Sequence, residues 1–164
     1  MADISKITSI LETVEDMSPS GFAIAFHIRM TASEFQFQTY PKEWMKTYSE
    51  KGYVMVDPIV AWGFANNGAI RWSELAHLDS HDIFAQSKHY GMNFGVAIGV
   101  EHDDTRSVAG FARPDREHTD KEIAILTECV SELHLLTASK KGMSEDLRAE
   151  LHRLSVRMTH PSTT

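Results

Sequence analysis

The sequence predicts an α+β domain, an antiparallel sheet flanked by helices, on three observations. A helical stripe opens the chain, two pairs of short strand patterns lie in its middle, and periodic helical segments close it. At 164 residues it is read as one domain with a proper core. No internal repeat or low-complexity tract interrupts it.

Ile4, Ile7, Ile10, Leu11 and Val14 recur at helical spacing and predict an amphipathic helix, stopped by Ser18-Pro19-Ser20-Gly21. Residues 22–30 and 34–40 predict a hairpin, whose second strand alternates Phe35, Phe37 and Thr39 with polar partners. Pro41 suits the first turn of a helix carrying Trp44, Met45 and Tyr48 and ending at Gly52. Asp57-Pro58 opens another helix through about Ala65, closed by Asn66-Asn67-Gly68. Ile83, Phe84, Ser87 and Tyr90 mark a helix ending at Gly91. Strands at 94–101 and 107–113 follow, joined by His102-Asp103-Asp104-Thr105.

Thr119-x-x-Glu122 is a capping-box pattern ahead of Ile123, Leu126, Val130 and Leu133 on one helical face. Lys140-Lys141-Gly142 breaks that helix. Met143, Leu147, Leu151 and Leu154 then form a second stripe, running into a polar tail from Thr159 to Thr164.

Composition excludes several roles. The hydrophobic fraction of 42% and charged fraction of 24% are ordinary for a globular protein, and the net charge of -7 opposes phosphate binding by this chain alone. A single cysteine, Cys129, rules out an internal disulfide framework and fits a reducing compartment. With no signal-peptide pattern and no apolar run of spanning length, the expected location is the cytoplasm, off the membrane.

The chemistry concentrates in Tyr40-Pro41-x-x-Trp44-x3-Tyr48-x8-Asp57-Pro58-x13-Trp72. Trp44 and Tyr48, four apart, share one helix face. Their N–H and O–H donors, with the Asp57 acceptor, suit a mostly apolar ligand bearing carbonyls and one N–H. Helical spacing of Trp and Tyr also describes ordinary core packing, and Asp57 before Pro58 is also a helix N-cap. The cap is compatible with a ligand role, because a carboxylate has about four lone-pair sites. His77-x-Asp79-x-His81-Asp82 is the best metal-like cluster among nine histidines, but it reads as a solvated loop, and no metal site is expected. No nucleophile–base pair can be assembled, so no catalytic residue is assigned.

On those residues the whole chain resembles the autoinducer-binding domain of LuxR-type quorum-sensing regulators. Trp44, Tyr48, Asp57-Pro58 and Trp72 stand at the family's spacing, supported by Tyr40-Pro41, Phe84 and Gly95. The resemblance implies an α-β-α sandwich with a central antiparallel sheet of about five strands. It implies an N-acyl-homoserine lactone held between sheet and helices, and no cofactor. By position, Trp44 is expected to donate to the lactone carbonyl, Asp57 to accept the ligand amide N–H, and Tyr40 to bond the amide carbonyl. Tyr48, Val60, Trp72 and Phe84 are expected to line the cavity, and Gly95 to leave room beside the sheet.

The chain departs from the family at Phe111, read as standing where a Ser or Thr near the head group is common, and at Ala97 likewise. A more apolar cavity is therefore expected, with less support for a 3-oxo substituent. Gly99 stands where proline is common. Residues 1–158 are read as the ligand-binding domain and 159–164 as the start of an interdomain linker to a helix-turn-helix domain outside this chain. A homodimer through the terminal helices is expected, with DNA bound only through that further domain. Two alternatives stay open: a solo receptor for a non-lactone small molecule, and a natural protein lacking the DNA-binding module that acts by heterodimerisation.

Overall fold

The computed structural model of the protein describes residues 4–28 and 35–138, with 149, 150 and 153. The expected stripe from Met143 to Leu154, the helix break at 140–142 and the linker at 159–164 lie outside the described residues, apart from those three. So do the ends of the first predicted hairpin.

Strands β1 (Phe22–Ile28), β2 (Phe35–Gln38), β3 (Gly68–Arg71), β4 (Phe94–His102) and β5 (Thr105–Arg113) form one antiparallel sheet in the order β2-β1-β5-β4-β3. Helices α1 (Ile4–Asp16) and α5 (Asp120–Leu136) cover one face, while α2 (Lys42–Glu50), α3 (Pro58–Ala65) and α4 (Ile83–Lys88) stand on the other. The sandwich of about five strands is therefore present.

Side chains alternate across a strand, so each strand serves both layers. Phe22, Ile24, Phe26, Phe37, Val96, Ile98 and Phe111 are fully buried against Ile7, Leu11 and Val14 of α1 and Leu126, Val130 and Leu133 of α5. Each such side chain stabilises the fold by about 1.5–3 kcal/mol. The opposite face is built from small residues. Ala23 and Ala25 of β1, Gly95 and Ala97 of β4, and Gly110 and Ala112 of β5 occupy it.

Local chemistry sets the element ends. Thr119 Oγ1 accepts from Glu122 N at 3.1 Å and Thr119 N donates to Glu122 Oε1 at 2.8 Å, completing the capping box at α5. Arg116 clamps the same carboxylate at 2.7 and 3.0 Å, and its hydrogen bonds hold the Glu122 pKa down to about 2. Asp103 and Asp104, at φ 52° and 63°, make the two-residue turn between β4 and β5, as the Asp-rich sequence predicts. Pro41 stands just before α2 as its N-cap residue rather than inside the first turn.

Strand β3 has no alternation to announce it, and its Gly68 reads as a helix stop in the sequence. It is instead the first residue of a four-residue edge strand paired with Gly99 through Val96 of β4. β1 carries one extra residue between Ala25 and Ile28, where His27 adopts φ 52°. That bulge sends both Phe26 and His27 to the α1/α5 side. His27 meets Thr105 Oγ1 at 2.8 Å and Thr137 Oγ1 at 2.9 Å, and its ring lies 4.3 Å from that of His134, itself 2.7 Å from Ser107 Oγ.

Candidate ligand-binding site

The small-residue face and the α2–α4 layer do not meet over their whole area. Between them lies a cavity of about 250 Å³, floored by Ala23, Ala25 and Gly110 and roofed by side chains of α2, α3 and α4. Trp44 and Asp57 are buried in its wall, while Val54 and Phe64 are 52% and 45% exposed and Gln36 is exposed, so the cavity opens to solvent beside those three.

Helical spacing on α2 brings Trp44 and Tyr48 together, with ring centroids 5.9 Å apart; Tyr53 and Tyr90 pack against Trp44 as tilted rings at 6.1 and 5.7 Å. Asp57 caps α3 by accepting from Ile59 N at 2.8 Å through Oδ1, while Tyr48 Oη donates to Oδ2 at 2.7 Å. One carboxylate thus serves as helix cap and cavity wall at once. Burial raises its pKa, and the Tyr48 and Ile59 hydrogen bonds oppose that rise. The phenol pKa values of Tyr40 and Tyr48 are pushed up first by burial and then by the Asp57 charge, so both hydroxyls remain donors at neutral pH.

Three donors around this carboxylate lack a protein partner. Trp72 Nε1 is buried without a hydrogen bond, and neither Trp44 Nε1 nor Tyr40 Oη bonds to another described residue. An unpaired buried donor costs about 1–3 kcal/mol, a cost that falls on Trp72 Nε1, whereas Trp44 and Tyr40 line the cavity with their donors open to an acceptor from elsewhere.

Tyr40, Trp44, Tyr48, Asp57, Val60, Trp72 and Phe84 all line the cavity. Two expected positions do not. Phe111 lies on the other face of β5, fully buried and stacked on Phe22 at 6.3 Å within the α1/α5 core. The cavity-side position is its neighbour Gly110, where a Cβ would stand 2.7 Å from Tyr40 Oη. Strand alternation makes a one-residue misplacement a change of layer. Gly95 faces the right layer, but the Trp72 indole fills the space above it: a Cβ there would sit 2.2 Å from the ring. Gly95 seats the tryptophan rather than leaving a void for ligand. Ala97 belongs to the same layer, paired with Gly110.

Sequence reasoning also missed Gln36 and Gln38 of β2, Ile59, Ser87 and Met92, all on the cavity wall. The glutamines were legible: if Phe37 faces the core, its two neighbours face away. His77, His81 and Asp82 are exposed, and Asp79 is used as a cap, accepting from Ile83 N and Phe84 N at 3.0 and 2.9 Å. Among the described residues no cluster of three potential metal ligands occurs, and no helix is long and apolar enough to cross a membrane.

Residues 13–139 match the autoinducer-binding domain family. The chain belongs to that family. The autoinducer-binding domain is the ligand-binding part of LuxR-type regulators, and it takes a small ligand rather than a cofactor. Among relatives, the transcriptional activator VanR of Vibrio anguillarum is 29% identical over 82 residues, 48% of this chain and 34% of VanR. The match therefore spans about a third of that relative's length. Among solved structures, the fold is similar to Escherichia coli SdiA (TM-score 0.61, 16% identity, 83% of this chain and 60% of SdiA). It is also similar to the N-acylhomoserine lactone-dependent factor CepR2 of Burkholderia cenocepacia (TM-score 0.56, 17% identity, 82% of this chain and 94% of CepR2).

Proposed function

We propose that this autoinducer-binding domain takes an N-acyl-homoserine lactone, with its head among Trp44, Asp57 and Tyr40 and its chain directed to the open end near Val54 and Phe64. The observation that carries this reading is the pair of unpartnered donors, Trp44 Nε1 and Tyr40 Oη, lining the cavity beside one buried carboxylate. Trp44 Nε1 donates to the lactone carbonyl, Tyr40 Oη to the amide carbonyl, and Asp57 accepts the amide N–H. Tyr48, Val60, Trp72 and Phe84 enclose the ring and the first part of the chain. Each methylene removed from water adds about 0.8 kcal/mol.

Bound ligand fills a layer that the protein alone leaves open, and so stabilises the fold by RT ln(1 + [L]/Kd), about 2.7 kcal/mol at a hundredfold excess over Kd. In a longer regulator, this ordering would favour a homodimer and set DNA occupancy through a separate C-terminal domain. Thermal melts across a series of acyl lengths test the reading. A rise in Tm that peaks at one length is expected, and no rise at any length defeats it.

A second reading is kept by one observation: SdiA, similar in fold, has been solved in complex with octanoyl-rac-glycerol. A glycerol head offers O–H donors to Asp57 in place of an amide N–H. Paired melts with N-octanoyl-homoserine lactone and octanoylglycerol separate the two, since only the first presents an amide to Asp57 and Tyr40.

A further inference from the structure

The floor of the cavity contains one polar intrusion that the head-group clamp does not use. Gln36 and Gln38 alternate with the buried Phe37 on β2 and so project from the cavity face of the sheet. Gln38 pairs with Ala23, which pairs in turn with Gly110. Gln38 therefore lies two strands, about 10 Å, from the backbone beside Tyr40 Oη. Only the Ala23 methyl stands between them on that row. Gln38 Oε1 is buried and has no hydrogen-bond partner.

A chain running from Tyr40 to the open end passes over Ala23 and Ala25, alongside this amide. An unsubstituted alkyl chain would pack over the amide and leave its oxygen as unpartnered as it is in the ligand-free protein. A ketone accepts but cannot donate to an unpartnered oxygen. A hydroxyl donates and accepts, and so satisfies the amide in either orientation of its oxygen and nitrogen.

We propose that the chain of the ligand carries a hydroxyl group, within the first few carbons beyond the amide, that hydrogen-bonds to Gln38. The proposal rests on the acyl-homoserine lactone reading above. It qualifies the expectation of a more apolar cavity, because the polar group comes from β2 rather than from β5.

The test is titration calorimetry of the full chain with three lactones of equal length: unsubstituted, 3-oxo and 3-hydroxy. The 3-hydroxy compound is expected to bind about tenfold tighter than both others, the size of one net hydrogen bond. In Gln38→Met, which keeps the side-chain length, that preference is expected to collapse while the unsubstituted compound binds as well or better. If the unsubstituted or 3-oxo compound binds wild-type protein as tightly as the hydroxylated one, the hydroxyl proposal is wrong and the lactone reading stands. A preference that survives Gln38→Met also overturns the assignment to Gln38. If none of the three binds, both proposals fall. The wild-type series decides the hydroxyl question even where the variant does not fold.

Discussion

Tyr48 Oη donates a 2.7 Å hydrogen bond to Asp57 Oδ2, so the helix that carries the aromatic stack and the helix that Asp57 caps are joined through one carboxylate. Burial nevertheless raises the Asp57 pKa. The folded state then holds this proton more tightly than the unfolded chain does. Its contribution to stability is present below the ordinary Asp range near 3.9 and is lost as pH rises through the elevated folded value. Asp57→Asn keeps a capping side chain and removes the titration. Denaturant melts of the ligand-free protein are expected to show a flatter decline above pH 4 in the variant. Ligand affinity falls at least tenfold, since a charged acceptor is replaced by an amide. Parallel pH slopes in the two proteins would contradict the burial argument.

Gly110→Ala isolates the head-group donor from the rest of the fold. The new Cβ would meet Tyr40 Oη at 2.7 Å, and that hydroxyl, at the tip of a side chain, can move aside. The expected result is a loss of stability of about 1–3 kcal/mol, the range of small-to-large changes in a packed site, with ligand affinity down about tenfold. Equal affinity would remove Tyr40 from the polar contacts.

Phe111→Ala tests the opposite face. It empties a fully buried site between the sheet and the α1/α5 layer and is expected to cost about 3–5 kcal/mol. The milder Phe111→Leu is expected to fold and to keep the wild-type ranking of acyl chains. A changed ranking would mean that the two faces are not insulated from each other.

Burial lowers the pKa of His134, which packs on His27 and Ser107 at the end of α5. A depressed histidine contributes stability above its unfolded value near 6.5, and that stability is lost as pH falls through the folded value. His134→Gln is expected to reduce the loss of Tm between pH 7 and pH 5. His118, also depressed by burial, retains its own share of that loss.

Most of the architecture was legible because periodicity reports burial. The α1 stripe, the Thr119 capping box, the Asp-Asp turn and the Asp57 cap each follow from a few residues and stand in the structure. β3 was not legible, since four residues at an edge leave no periodic trace. On the cavity wall, helical spacing brought Trp44 and Tyr48 together, while the lining roles of Tyr40, Asp57, Val60, Trp72 and Phe84 followed from the family resemblance. Phe111 failed because its face depends on strand register, which a motif does not fix, and Gly95 failed because a neighbouring indole occupies its space. The β2 glutamines carry no motif, and only their alternation with the buried Phe37 marks them as cavity residues.

The two-faced sheet has a consequence for how such a receptor can change over time. Along β1, β2 and β5, alternate positions answer to different demands: Phe22, Ile24, Phe37 and Phe111 to close packing, Ala23, Ala25, Gln38 and Gly110 to whatever molecule is admitted. A substitution in the second set leaves the first set's contacts in place. Selection can thus revise what the domain senses one residue at a time, in strands whose other half remains under strict constraint.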